Sequence, residues 1–96
     1  MYANELSGII PASIGNLTKL QVLKLQINAL IGAIPPEIGN CKSLVQLVLY
    51  ANYLNGKLPE SIGKLSNLEL LDVFANSLSG LPPKSMAQMK KLGEYI

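Results

Sequence analysis

Few residues of this 96-residue chain could carry out catalysis. The sequence has no histidine and no arginine, so acid–base or nucleophilic chemistry would depend on carboxylates and lysines. The acidic residues show no paired arrangement; they are Glu5, Glu37, Glu60, Glu69, Asp72 and Glu94. No cysteine–histidine cluster is present that could bind a metal ion. The sequence therefore predicts a protein that is not an enzyme and uses neither a metal nor another cofactor.

Charge and hydropathy argue against two further classes of protein. The net charge is only +2, and the eight lysines are spread along the chain rather than concentrated on one segment. We therefore expect no nucleic-acid partner. No apolar run approaches the ~18 residues of a membrane span, and the start "MYANELSGII" lacks the pattern of a signal peptide. Direct membrane insertion by this segment is not expected.

The sequence repeats itself without a gap along its whole length. Asparagine recurs at Asn4, Asn28, Asn52 and Asn76, which defines a 24-residue repeat. Glycine recurs at Gly8, Gly32, Gly56 and Gly80, and proline at Pro11, Pro35, Pro59 and Pro83. Leucine, isoleucine and other apolar residues follow in the same phase. A period of roughly 20–50 residues is typical of a solenoid, and the predicted units are 1–24, 25–48, 49–72 and 73–96.

Each unit is predicted to contain one strand followed by a return path. In "LQVLKLQIN" the apolar residues Leu23 and Leu25 alternate with Val22, Lys24 and Gln26, the period of a half-buried strand. Four such strands would stack in parallel about 4.8 Å apart. The return path, broken by glycine and proline, is too short for more than a turn or two of helix.

The asparagine column is expected to be structural. Where each strand ends, the chain turns while neighbouring units still cover it, so backbone groups there are buried and need partners. An amide side chain supplies both donors and an acceptor. Asn4, Asn28, Asn52 and Asn76 are therefore predicted to hydrogen-bond the turns of their own and adjacent units.

These residues resemble the leucine-rich repeat family, whose core is L-x-x-L-x-L-x-x-N-x-L. The core reads "LQVLKLQINAL", "LVQLVLYANYL" and "LELLDVFANSL", while "IGAIPPEIG" and "NGKLPESIG" resemble the plant-type repeat. That type is typical of ectodomains of plant receptor-like kinases and receptor-like proteins, and of polygalacturonase-inhibiting proteins. The resemblance covers the whole chain. It implies an α/β solenoid: a right-handed superhelix with a parallel sheet on its concave face and short 3-10 or helical segments on the return path.

The outward positions of the strands are the candidate binding surface. Many are apolar where solvent-facing polar residues were expected, and Tyr50 and Phe74 fall on neighbouring strands. Aromatic residues are favoured as interface anchors, although the rings could instead pack on each other and stiffen the sheet. The predicted ligand-binding residues are Val22, Lys24, Gln26, Gln46, Val48, Tyr50, Tyr53, Leu70, Asp72 and Phe74.

Two other residues could carry chemistry. Asn16-Leu17-Thr18 is the only N-x-S/T sequence in the chain and lies on the return path, so Asn16 is a candidate glycosylation site; ordinary turn chemistry is the alternative. Cys41 cannot form an internal disulfide. Because it takes the place of Leu17 and Leu65 in other units, we expect it to be a small buried apolar residue.

The resemblance implies a recognition module whose concave face binds a secreted peptide or a partner protein, including a co-receptor with the same repeats. It would act on the extracellular side of the plasma membrane or in the cell wall space. The alternatives are an inhibitor of a cell-wall-degrading enzyme, and a structural spacer or truncated remnant with no ligand. Met1 falls in strand phase and no caps are present, so we expect a segment of a longer ectodomain, cut in mid-strand at both ends.

Overall fold

The computed structural model describes residues 6–96, in which strands and short 3-10 helices alternate along the chain. The first four elements are β1 (Ser7–Ile9), η1 (Ala12–Asn16), β2 (Val22–Lys24) and β3 (Ala29–Ala33). They are followed by η2 (Pro36–Asn40), β4 (Gln46–Val48), β5 (Tyr53–Gly56) and η3 (Glu60–Lys64). The last four are β6 (Leu70–Asp72), β7 (Ser77–Leu78), η4 (Lys84–Gln88) and β8 (Glu94–Tyr95).

The predicted parallel sheet is formed by β2, β4, β6 and β8, in that order, and we call it the main sheet. Its register follows the 24-residue repeat, because Leu23 lies opposite Leu47 and Leu47 opposite Leu71. Leu47 and Leu71 are fully buried, and Leu23 packs against the same core. The alternation read from the sequence thus sets which face of the main sheet points inward.

A second parallel sheet is formed by β1, β3, β5 and β7, and the prediction from the sequence missed it. That prediction had one strand per unit and placed glycine at a bend of the return path. Gly32 and Gly56 instead lie within β3 and β5, with φ of +76° and +75°. Glycine adopts such angles without the clash of a side chain. The return path can therefore turn and still hydrogen-bond to the equivalent segment of the next unit.

The two sheets differ in register. On the second sheet Ile9 lies opposite Ile31, and Ile31 opposite Tyr53, so each step falls two positions short of the 24-residue repeat. Equivalent positions of successive units are therefore displaced by two residues along the strands, about 6.6 Å at roughly 3.3 Å per residue. Residues that are neighbours on the second sheet come from different positions of the repeat.

Asparagine side chains join the units where the chain passes from one sheet to the other. Asn52 Oδ1 accepts a hydrogen bond from the Leu30 N–H at 3.1 Å, and Asn52 Nδ2 donates to the carbonyl oxygens of Leu25 and Leu49 at 2.9 and 3.0 Å. Asn28 Oδ1 accepts from Leu6 N–H at 3.1 Å. Asn76 repeats the pattern with the Leu54 N–H and the Leu49 carbonyl. The predicted ladder is present at these three positions, while Asn4 lies outside the described residues.

The residue before each of these asparagines has a left-handed backbone. Ile27, Ala51 and Ala75 have φ of 58°, 60° and 56°. This region costs an L-residue roughly 1–2 kcal/mol, and a β-branched residue such as Ile27 is unusual there. The strain recurs at these three positions, each at the point where the chain turns towards the second sheet.

The 3-10 helices stack on one another through glycine and serine. A Cβ atom on Gly39 would lie 2.6 Å from the Ser61 carbonyl oxygen, and one on Gly63 would lie 2.6 Å from that of Ser85. Glycine is therefore required for the backbones to approach this closely. Ser61 Oγ and Ser85 Oγ each donate to a backbone carbonyl of the preceding unit at 2.6 Å. These contacts form a second hydrogen-bonded column on the return path.

We predict that replacing Asn52 by leucine lowers the free energy of unfolding by about 1–3 kcal/mol, because the buried Leu30 N–H loses its acceptor. Asn55→Leu is the matched control, since Asn55 is exposed on β5. Urea denaturation of the two variants measures the difference. Equal midpoints would contradict a stabilising role for the ladder.

Candidate ligand-binding surface

The outward side of the main sheet presents residues in two rows across its strands. One row contains Val22, Gln46, Leu70 and Glu94, and the other contains Lys24, Val48 and Asp72. Both rows run perpendicular to the strands because the main-sheet register matches the repeat. The structure therefore brings together, on one face, most of the residues predicted to bind a ligand.

Two of these predicted residues are buried rather than solvent-facing. Val48 is 6% exposed and Gln26 is 9% exposed. Val48 is a short side chain on an interior strand, between Lys24 and Asp72 in its row. Gln26 lies just past the end of β2, and the neighbouring position of the next unit holds the larger Tyr50. The prediction that these two side chains face solvent is wrong.

Gln26 has a further unusual property. Its side-chain oxygen Oε1 is buried and has no hydrogen-bond partner within the described residues. An unsatisfied buried acceptor costs roughly 1–3 kcal/mol. Its backbone carbonyl, by contrast, accepts a hydrogen bond from Asn28 Nδ2 at 3.1 Å.

The aromatic residues divide between the two sheets. Tyr50 is half-buried and Phe74 is 67% exposed, and they follow neighbouring strands of the main sheet that remain hydrogen-bonded at this point, from Ala51 N–H to the Phe74 carbonyl at 2.9 Å. Asp72 Oδ1 accepts from the Phe74 N–H at 3.1 Å and so helps to hold its backbone. Tyr53 is 66% exposed but begins β5. The left-handed bend at Ala51 has turned the chain by then, so Tyr53 belongs to the second sheet and not to the predicted face.

Two hollows adjoin the main sheet. The first, of about 230 Å³, is lined by Phe74 together with Val73, Leu78, Tyr95 and Ile96. The second, of about 490 Å³, is lined by Gln46, Glu69, Leu70, Lys91, Gly93 and Glu94. The first hollow, whose lining also includes Asn76 and Ser79, is mixed in polarity, whereas the second is charged. Side chains of different chemistry can therefore bind to the same face.

The second sheet carries an exposed apolar row that the prediction from the sequence did not include. Ile9, Ile31 and Tyr53 are adjacent across β1, β3 and β5, and each is more than half exposed. In the 24-residue alignment these residues occupy three different columns. The shifted register of the second sheet brings them together. No single position of the 24-residue repeat therefore shows that these three residues are neighbours.

The remaining candidates are placed on the return path. Asn16 ends η1 and is exposed, as is Thr18, whose carbonyl accepts a hydrogen bond from Ser43 Oγ at 2.7 Å. Cys41 is fully buried, as predicted, and its Sγ donates to the Ile14 carbonyl at 3.1 Å. Within residues 6–96, no three histidine, cysteine or acidic side chains are grouped so as to hold a metal ion. No helix in that range is long and apolar enough to cross a membrane.

Comparison with a family model identifies the repeats. The model described as Leucine Rich Repeat matches residues 43–65 and 67–89. The chain is a leucine-rich repeat array. The comparison with curated proteins finds no match.

This array is similar to solved structures of plant receptor ectodomains. The PEPR1–AtPEP1 complex is 44% identical over 94% of the array, with a TM-score of 0.92. The ectodomain of the receptor kinase GASSHO1/SCHENGEN3 from Arabidopsis thaliana, in complex with CASPARIAN STRIP INTEGRITY FACTOR 2, is 43% identical over 93%, with a TM-score of 0.90. The BIR3–SERK2 complex from Arabidopsis thaliana is 37% identical over 97%, with a TM-score of 0.85. The array spans 13%, 11% and 52% of those chains, respectively.

Burial raises the pKa of the Cys41 thiol, because the thiolate is poorly solvated in the core. Since the folded-state pKa is raised, the contribution of Cys41 to the free energy of unfolding should be fully present below the ordinary thiol pKa and should be lost as the pH rises through the folded-state value. We predict that iodoacetamide at pH 8 labels Cys41 far more slowly than it labels glutathione, and that the rates converge in denaturant. Mass spectrometry follows the labelling. Rapid labelling of the folded array would contradict the burial of this thiol.

Proposed function

We propose that the main sheet of this array recognises a secreted peptide or a partner protein, without catalysis, as part of a plant receptor-like kinase ectodomain. The observation that carries the proposal is the exposed ring of Phe74 beside Tyr50, at the point where neighbouring strands end and their chains are still hydrogen-bonded. Hydrogen bonds to the Phe74 N–H and carbonyl hold its backbone before binding, so the backbone loses little conformational entropy on association. The extracellular side of the plasma membrane is the corresponding location.

The similar structures support a peptide as the first class of partner. GASSHO1/SCHENGEN3 is in complex with CASPARIAN STRIP INTEGRITY FACTOR 2, and RGFR1, a plant peptide hormone receptor, is in complex with RGF2. A co-receptor with the same repeats is the second class, supported by similarity to the BIR3–SERK2 complex. Because the array spans only part of these chains, we also propose that it is a segment of a longer ectodomain.

A peptide-display selection on the array tests this function. From a random 12-residue library we expect binders that lose about 2 kcal/mol, roughly thirtyfold in affinity, when Tyr50 and Phe74 are both changed to alanine. Fluorescence anisotropy with the selected peptides provides the affinities, and circular dichroism checks the fold of each variant.

Tyr53→Ala is the matched control, because Tyr53 and Phe74 are equally exposed but lie on different sheets. It should leave the affinity unchanged. Loss of binding in Tyr53→Ala alone would move the site to the second sheet. A selection that yields no binders would favour a structural spacer.

We also propose that Asn16 is glycosylated when the array passes through a secretory pathway, since the whole Asn16-Leu17-Thr18 sequence is exposed. Secretion of the array behind an added signal peptide should give a product heavier by one N-linked glycan, and Asn16→Gln should remove that mass. Asn40→Gln is the control, as Asn40 holds the equivalent exposed position without the sequon. An identical mass before and after deglycosylation would show that the site is not used.

A further inference from the structure

Charges of opposite sign lie at opposite ends of the main sheet. Lys24 is on β2, whereas Asp72 is on β6 and Glu94 is on β8. Glu69 comes immediately before β6, and its carbonyl accepts hydrogen bonds from the Gly93 and Glu94 N–H groups at 2.8 and 3.1 Å. The face therefore has one cation at its first strand and three carboxylates at its last two strands.

These charges are almost unused by the protein itself. Lys24, Glu69 and Glu94 are exposed, and none forms an ion pair within residues 6–96. Only Asp72 has an internal role, through its bond to the Phe74 N–H. Unpaired charges of both signs on one rigid face leave a field that an oriented ligand can complement.

The charged hollow between β6 and β8 has the composition expected of a site for a basic side chain. Glu69 and Glu94 provide two carboxylates, and Leu70 provides an apolar wall for an aliphatic stem. Lys91 also lines this hollow, but its Nζ donates to Asn67 Oδ1 at 3.2 Å. One cation against two carboxylates leaves the hollow negative overall.

The register gives the spacing of the two charged regions. Lys24, Val48 and Asp72 are opposite one another, so Lys24 and Asp72 are two strand spacings apart, about 10 Å, and β8 is about 14 Å from β2. An extended peptide advances about 3.3 Å per residue. A peptide that crosses the strands would therefore cover the distance of about 14 Å from β2 to β8 in about four residues.

We propose that the main sheet binds an extended peptide with an acidic residue over Lys24, a basic residue about four positions away in the hollow of Glu69 and Glu94, and an apolar residue between them against Leu70. This inference rests on the proposed function and specifies the chemistry of its ligand. The order of the acidic and basic residues along the peptide determines which of its ends lies at β2.

Capped synthetic pentapeptides test the inference. The parent probe is acetyl-Glu-Gly-Phe-Gly-Lys-amide; the others carry Gln/Gln, Glu/Glu or Lys/Lys at the ends, or glycine in place of phenylalanine. Chemical-shift titration of the array should give the Glu/Lys probe about threefold tighter binding than the Gln/Gln probe, since exposed ion pairs contribute modestly. The preference should shrink in about 0.5 M salt.

Charge reversals locate each contact. Lys24→Glu should shift the preference to the Lys/Lys probe, and Glu94→Lys should shift it to the Glu/Glu probe. Lys57→Glu is the control, because Lys57 is exposed directly after β5 of the second sheet, and it should not change the ranking. Should a reversal disturb the fold, Lys24→Gln and Glu94→Gln should each weaken the preference, because each removes one of the two charge contacts and leaves the other.

The outcomes separate this inference from the proposed function. Equal binding of every phenylalanine probe, with no response to the reversals, would overturn the charge inference and leave peptide recognition standing. Binding of no probe would overturn both. Equal binding of the phenylalanine and glycine probes would remove Leu70 from the inferred contact.

Discussion

The buried asparagine amide is the interaction on which the rest of the array depends. Each described ladder residue binds backbone groups of its own unit and of the unit before it, so a single side chain fixes the spacing of two units. It does so directly after a residue with a strained left-handed backbone. The strain, about 1–2 kcal/mol, is comparable to the contribution of one or two of the hydrogen bonds that follow it.

Because the ladder and the inward leucines fix the backbone, the outward side chains are free to differ. Val22, Gln46, Leu70 and Glu94 occupy one row and include apolar, amide and acidic groups. Little of the array's stability depends on which of them is present. Recognition can therefore change on this fold while the structure persists, and function is read from particular side chains rather than from the repeat.

The sequence predicts those features that depend on equivalent positions. The 24-residue period correctly predicts the ladder, the buried leucines, the parallel main sheet and the burial of Cys41. It fails where neighbours come from different columns, as on the second sheet, where glycines at positive φ remain within strands. It also fails for Gln26 and Val48, which are buried, because alternation predicts the direction of a side chain but not how much of it remains exposed.

The difference in register between the two sheets affects how such a protein could evolve. Duplicating one unit would extend each row of the main sheet by a copy of the same residue, so that surface would grow in a regular way. On the second sheet the same event would place residues from unlike positions side by side, since neighbours there do not share a column of the repeat. A contact surface on the second sheet would be rearranged each time a unit is gained or lost. Ile9, Ile31 and Tyr53 thus form a surface tied to this particular number and order of repeats.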